Sequence, residues 1–280
     1  MKINLQLSPE RLPTLLSLFY LLMLLAAATQ FSFLIRFENA DLANWLWPVS
    51  WLGFFSISVI KTLGFGFYLV CLISLFLSVL KPHLSFIKVI SFVSFFILMA
   101  IKFSFGKIDH HLHSFLFVSF FMIFVRPSPN QEDKNTLFFQ AAQISFVGLY
   151  FLTGIWKLRY FLDSCFRNGW SETNPLSTQL AWNSIQAFSP ANSGWWRSLP
   201  EDVSRLIWLG IIVFEILCIG LVWRPKLQRA GGIAIAVFHV LVFLIMKINF
   251  LWAAGLALIL LAYNPYKIPE NNYNGSWPEK

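Results

Sequence analysis

Charge is scarce in this chain. Only 12% of its 280 residues are Asp, Glu, Lys or Arg, against about 25% in soluble domains, and just 13 are acidic. Cysteine is rarer still. Cys71, Cys165 and Cys218 stand far apart with no Cys-x-x-Cys pair, which excludes a disulfide framework and a thiolate zinc site. Cys71 and Cys218 lie inside apolar runs, where a thiol behaves as a small hydrophobe. Internal repeats and low-complexity linkers are both missing, so residues 1–280 read as a single domain. The 21 basic residues are scattered singly rather than gathered on one face, which argues against nucleic acid as a partner. They fit loops that touch anionic lipid headgroups instead.

Apolar residues are plentiful. The hydrophobic fraction is 57%, and 31 Phe, 12 Trp and 7 Tyr supply more apolar surface than a soluble fold of this size can hide. A soluble globular enzyme, a disordered chain and a fibrous repeat are excluded together. Apolar runs of span length recur between polar breaks: Leu12 to Ile35, Leu63 to Leu80, Ser85 to Ile101, His113 to Val125, Leu137 to Trp156, Leu206 to Trp223, Gly231 to Met246 and Phe250 to Tyr263. These runs predict an all-α, polytopic helical integral membrane protein with seven to nine transmembrane or half-spanning helices. The first run continues past Ala26-Ala27-Ala28, so it is a retained span rather than a cleaved signal peptide. Trp45-Leu46-Trp47-Pro48 with Trp51 suits an interfacial or re-entrant piece.

The one long polar segment, about 158–204, carries Trp170, Trp182, Trp195 and Trp196 among Ser, Asn and Pro. Such a mixture predicts a loop of interfacial pieces at headgroup depth. Arg224, Lys226 and Arg229 form the tightest basic cluster, which the positive-inside rule places in the cytoplasm. Counting back through the spans, the N-terminus is also cytoplasmic, in a plasma or inner membrane. His113 and the segment after Lys157 then face the exoplasmic side.

Ionisable groups within apolar runs cost about 2.5–3.5 kcal/mol each on insertion scales, so each is a functional candidate. Lys157 ends the run Tyr150-Phe151-Leu152-Thr153-Gly154-Ile155-Trp156-Lys157-Leu158, and His113 opens His113-Ser114-Phe115-Leu116-Phe117. Glu215 and His239 stand in mid-run. Structural roles are open to all four. Lys157 can snorkel to the headgroups, and His113 can be a solvated edge residue. Glu215 and His239 can bond each other across two helices. Lys247 sits at a short break and reaches the interface. His110 and His111 of His110-His111-x-His113 would point about 100° apart on a helix, and no metal is expected. Together, a lysine, two histidines and a glutamate converging in a lipid-walled pocket would suit proton transfer, because a lysine in apolar surroundings becomes a base.

The Lys157 segment resembles the part of the vitamin K-dependent gamma-carboxylase family that holds its catalytic lysine, a pattern shared by bacterial HTTM (horizontally transferred transmembrane) domains. His113-Ser114-Phe115-Leu116 is similar to the family's His-Ser-aromatic-Leu, and Phe238-His239 to its aromatic-His segment. Glu215, ahead of a basic loop, matches an acidic position common in HTTM proteins. The resemblance covers about residues 10–265. It implies a quinone-coupled enzyme, a lyase in which reduced vitamin K is oxygenated to an epoxide. The strong base so formed takes a proton from a glutamate γ-carbon, which then attacks carbon dioxide. Lys157 would deprotonate the hydroquinone (vitamin K hydroquinone or menaquinol), and His113 would steady carboxylation. His239, Glu215 and Trp156 would contact the cofactor, and the substrate would be a protein or peptide on the exoplasmic side. The departures are Trp156, where the carboxylases carry a second lysine, and a displaced Gly169-Trp170. Only Asn264 to Lys280 follows the last run, where the carboxylases have a large substrate-binding region.

Two classes of function therefore stand. One is a quinone-linked or lipid-linked membrane enzyme with Lys157 as base. The other is a non-enzymatic membrane protein (accessory, immunity-type or small-solute carrier) in which Lys157 and Glu215 form a structural or conducting pair.

Overall fold

A computed structural model describes residues 7–31, 46, 49–104, 110–128, 131–169, 200–246, 250–263 and 266. Eight α-helices follow one another among these residues: α1 (Leu12–Ala28), α2 (Ile57–Leu80), α3 (Ser85–Ser104), α4 (His110–Met122), α5 (Glu132–Asn168), α6 (Glu201–Leu217), α7 (Pro225–Met246) and α8 (Leu251–Ala257). A 3-10 turn, Cys218–Trp223, extends α6, and a π-helical turn, Leu258–Ala262, extends α8. Five stretches are long and apolar enough to cross a membrane: Ile57–Leu80, Ser85–Ser104, Glu132–Arg167, Glu201–Trp223 and Lys226–Leu244. Leu12–Ala28, Leu112–Met122 and Leu251–Ala262 are shorter apolar helices. The chain is all-α and polytopic, as its apolar runs predict.

Two boundaries differ from those read in the sequence. The first helix stops at Ala28, where Thr29 Oγ1 and Gln30 Nε2 both donate to the Ala26 carbonyl and draw it out of the helical ladder. Residues 32–35 of the predicted span lie outside the described residues. The long polar segment does not begin at 158 either, because α5 runs on to Asn168. Leu158, Phe161 and Cys165 keep a three-to-four residue apolar period there and pack on Trp208 and Ile212. Arg167 also pairs with Asp163 one turn back, at 3.0 Å. Gly169, at φ 79°, then ends the helix in a conformation that suits glycine. Trp45, Trp47, Pro48, Trp170, Trp182, Trp195, Trp196 and Lys247 all lie outside the described residues.

The core forms around α1, whose Leu15, Leu16, Phe19 and Met23 are fully buried. Phe19 meets the ring of Phe115 from α4, and Phe115 in turn meets Phe95 from α3. The outer helices are apolar all round. On α2, Cys71 and Leu75 face inward while Leu69, Ile73, Phe76 and Leu80 are exposed. A helix with no polar face is suited to lipid rather than water. Small hydroxyl residues line the α2–α3 contact, with Ser78 Oγ 3.1 Å from Ser91 Oγ, so the two backbones pack closely.

A buried charge that the sequence reading passed over holds the next connection. Lys88 of α3 is fully buried, and its ammonium donates to the carbonyls of Met122 (3.3 Å) and Val125 (2.5 Å). The Met122 carbonyl ends α4, where a helix presents unpaired acceptors and the negative end of its dipole, and the Val125 carbonyl lies in the connection just beyond it. Lys88 therefore caps α4 from outside. Asn135 closes the turn into α5, accepting from Arg126 N (2.8 Å) and donating to Arg126 O (2.6 Å). Replacing Lys88 by Leu should leave both carbonyls buried without that donor, at a cost of about 1.5–3 kcal/mol. The expected result is a lower unfolding midpoint in detergent micelles. An unchanged midpoint would show that the cap does not support α4.

Candidate functional site

Helix α5 is 37 residues long, about 55 Å at 1.5 Å per residue, and outreaches a hydrocarbon core of about 30 Å. Gln143, Tyr150 and Lys157 recur along it every seven residues, about 10.5 Å apart and on one face. Each meets partners from distant parts of the chain. Gln143 Nε2 donates to Leu260 O (2.6 Å) and to Gln228 Oε1 of α7 (3.3 Å). Its Oε1 accepts from the Tyr266 hydroxyl at 2.7 Å. Burial pushes that tyrosine up from its ordinary range, so it stays protonated as the donor. Tyr150 is hydrogen-bonded through its hydroxyl to His239 Nε2 of α7. Lys157 Nζ donates to Glu215 Oε1 of α6 at 2.6 Å.

Gly154 makes the last pairing possible. It lies one turn before Lys157, where α6 presses on α5. A Cβ there would stand 2.9 Å from Ile216 Cγ1, 3.0 Å from Glu215 Cβ and 3.1 Å from the Ile216 backbone nitrogen. Only a residue without a side chain lets the two backbones approach this closely. The Gly154 of the sequence motif thus sets the distance that Lys157 must span.

Around the ion pair the surroundings are apolar. Phe161, Trp208 and Ile212 form a small buried cluster, with Leu158, Ile211 and Ile216 packed on it. The Lys157 ammonium sits 5.5 Å from the centroid of the Trp208 ring, within cation–π range. The Lys157 side chain retains 22% of its exposure while that of Glu215 keeps 5%, so the pair opens towards the surroundings from the lysine side. Two polar atoms here are buried with no hydrogen-bond partner among the described residues: Glu215 Oε2, an acceptor, and Trp208 Nε1, a donor. Buried polar groups are ordinarily satisfied, so these two unpartnered atoms single out the Lys157–Glu215 contact as the candidate site.

Of the residues singled out in the sequence, the structure brings Lys157 and Glu215 together directly, with Gly154 between their helices. The alternative of a Glu215–His239 pair gives way to two separate pairings, Glu215 with Lys157 and His239 with Tyr150. The reason is register: Gly154 draws the Glu215 turn of α6 against α5, while His239 on α7 meets α5 at Tyr150. His113 lies on α4, with Phe103 4.8 Å and Phe117 6.5 Å from its ring. Phe124, in the turn just past α4, stacks on Phe138 of α5, and the two helices join through that short connection. Counting back from that stack puts His113 level with about residue 149, roughly 12 Å short of Lys157 along the axis. Trp156 points outward, 67% exposed, and stacks on Tyr160. Tyr150 and Trp208 were not singled out by the sequence reading. Tyr150 belonged to the motif, seven residues before Lys157, and that spacing was the available signal.

A carboxylate with one oxygen held by an ammonium and the other buried without a hydrogen bond among the described residues keeps the capacity to accept a hydrogen bond, or a proton, from a hydroxyl or N–H group. Among the described residues, no group of three His, Cys, Asp or Glu side chains is placed to hold a metal ion. Compared with known proteins, the chain matches no family model, no curated protein and no solved structure.

Breaking a buried ion pair leaves the survivor uncompensated, at about 3–5 kcal/mol when both groups are fully buried. Lys157 is partly exposed, so Lys157→Met is expected to cost up to about 3 kcal/mol. The double variant Lys157→Met/Glu215→Leu should regain most of that loss. Thermal unfolding of the two variants beside wild type measures this directly, and equal destabilisation by both would contradict the pairing. Gly154→Val should destabilise by about 1–3 kcal/mol, through forced separation of α5 and α6.

Proposed function

We propose that the chain is an integral membrane protein whose Lys157–Glu215 pair binds a lipid-soluble hydroxyl compound and accepts its proton. The observation that carries this reading is the buried Glu215 Oε2, without a hydrogen bond among the described residues, beside a lysine that keeps partial exposure. The resemblance to the gamma-carboxylase and HTTM families supplies the compound class, a reduced quinone. When bound, such a group supplies an acidic hydroxyl and reducing equivalents. The residues present fit it. Glu215 Oε2 accepts a hydroxyl proton, and the Trp208 indole N–H is free to donate to a second ligand oxygen. Phe161 and Ile212 keep water away from both.

The roles divide differently from those the resemblance alone implies. The Lys157 ammonium is engaged with Glu215, so the carboxylate is the proton acceptor and Lys157 is its positioning cation. A proton on Glu215 leaves Lys157 as the compensating charge for the anion that remains. His113 has no step in this scheme. With the Arg224, Lys226 and Arg229 cluster at the start of α7 cytoplasmic, as its charge argues, the Lys157 end of α5 lies on the exoplasmic side. The second reading, a non-enzymatic accessory, immunity-type or carrier protein, is favoured by the closeness of the ion pair, which a purely structural bond would also show.

A turnover and binding assay in nanodiscs separates the two. Reduced vitamin K or menaquinol is supplied with oxygen, and binding and quinol oxidation are scored for wild type, Glu215→Gln and Lys157→Ala. Wild-type oxidation that falls by at least about 100-fold in Glu215→Gln is expected, in the range for loss of a general base. Neither binding nor oxidation by wild type would leave the non-enzymatic reading standing.

A further inference from the structure

The two unpartnered atoms of the site differ in kind, and that difference selects among ligands. Trp208, Ile212 and Glu215 recur on one face of α6 at three-to-four residue spacing, and all three are buried. Lys157 of α5 reaches the two polar members together. Its Nζ is 2.6 Å from Glu215 Oε1 and 5.5 Å from the centre of the Trp208 ring, so the carboxylate and the indole stand no more than about 8 Å apart across it. Both lie within reach of one small ring compound that approaches from the partly exposed lysine side. Paired with the Lys157 ammonium, the carboxylate only accepts at Oε2, whereas Trp208 Nε1 only donates. Lys157 adds donors and no acceptor. Of the two buried atoms without a hydrogen bond among the described residues, one therefore demands a donor from a ligand and the other an acceptor.

We infer that Glu215 Oε2 makes the site tell a hydroxyl from a carbonyl, so that it binds the reduced form of a quinone in preference to the oxidised form. This selectivity rests on the site taking a quinone at all, as proposed above. A hydroquinone carries two hydroxyls. One donates to Glu215 Oε2, and the oxygen of the other accepts from Trp208 Nε1. A quinone carries two carbonyl oxygens and no donor. One of them still accepts from the indole, but the other meets a carboxylate oxygen and leaves Oε2 buried and unpaired. Loss of a hydrogen bond to a charged acceptor corresponds to at least about a tenfold fall in affinity. Only one of the two hydroxyls needs its proton, because the site turns a donor towards the other. Preference for the reduced form also raises the two-electron midpoint potential of the bound couple, by about 30 mV for each tenfold.

Equilibrium binding under nitrogen tests this without turnover. Wild type in nanodiscs is titrated with menaquinol, menaquinone, both monomethyl ethers of menaquinol and its dimethyl ether. Affinity is read from the ligand-dependent rise in the unfolding midpoint. The dimethyl ether keeps both oxygens as acceptors and has lost both protons. Menaquinol is expected to bind at least about tenfold more tightly than menaquinone or the dimethyl ether. One of the two monomethyl ethers is expected to bind as tightly as menaquinol. Glu215→Gln replaces the carboxylate by an amide that both donates and accepts, so the ratio of menaquinol to menaquinone affinity should fall to near one. Trp208→Phe should weaken both forms and leave their ratio unchanged. Equal affinity of wild type for menaquinol and menaquinone would overturn the selectivity and leave the quinone proposal standing. Weak binding by both monomethyl ethers, or a preference that survives Glu215→Gln, would overturn the assignment to one acceptor at Oε2. Should Glu215→Gln not fold, the ligand series on wild type decides alone. Binding of none of the five compounds would overturn the quinone proposal itself, and the selectivity with it.

Discussion

The rest of the structure depends on one constraint: every polar side chain on the inner face of α5 must find a partner in apolar surroundings. An unpaired buried polar group costs about 1–3 kcal/mol, and a charged one more. Gln143, Tyr150 and Lys157 meet that demand with partners from α6, α7 and the chain that follows α8. Gln143 ties α5 to Gln228, to the carbonyl of Leu260 in the π-helical turn and to Tyr266. Tyr150 ties it to α7, and Lys157 ties it to α6. The net stabilisation from each pair is small, because desolvation offsets most of the attraction. What the pairs supply is register, since sliding any neighbouring helix by one residue would orphan a buried group.

Glycine sets how near those neighbours come. Gly154 admits α6 to α5. On the other side of the bundle, a Cβ at Gly232 of α7 would stand 2.7 Å from the Ala262 backbone nitrogen and 2.9 Å from the Ala257 carbonyl. Both contacts are between backbones, where no side chain can yield. The polar face of α5 is consequently closed at one end and open at the other. Gln143 and Gln228 are wholly buried and their hydrogen bonds occupied, as suits a lock. At the far end Lys157 keeps partial exposure, and Glu215 has an oxygen to spare.

Parts of this were legible before any coordinates. The apolar runs found every long helix, though not the C-terminal end of α5, because a segment that lies in lipid must be apolar along its whole length while the helix beyond it need not be. Lys157, Glu215 and His239 drew notice for the same reason, as charges and rings where charge is costly. Lys88 escaped although it obeys the same rule. It stands near the start of Ser85–Ser104, where a lysine ordinarily reaches the headgroups, and nothing in its neighbourhood of sequence tells of carbonyls at Met122 and Val125. Trp208 was one tryptophan among 12, indistinguishable from those expected at an interface. The helical stretch from Leu158 to Asn168 was hidden by its charges, since polarity ended the apolar run before its amphipathic period was weighed.

The sequence by itself determined the all-α class, the apolar segments and the short roll of ionisable groups placed among them. Those properties are local: they follow from composition over a window of residues and from the cost of charge in hydrocarbon. Which groups meet was decided only by the tertiary structure. Lys157 with Glu215, Tyr150 with His239 and Lys88 with the end of α4 are separated by 58, 89 and 34–37 positions in the chain. Their meeting depends on the rotation and register of whole helices, which close contacts such as that at Gly154 impose. A glycine in the linear sequence does not say which backbone will come to lie against it.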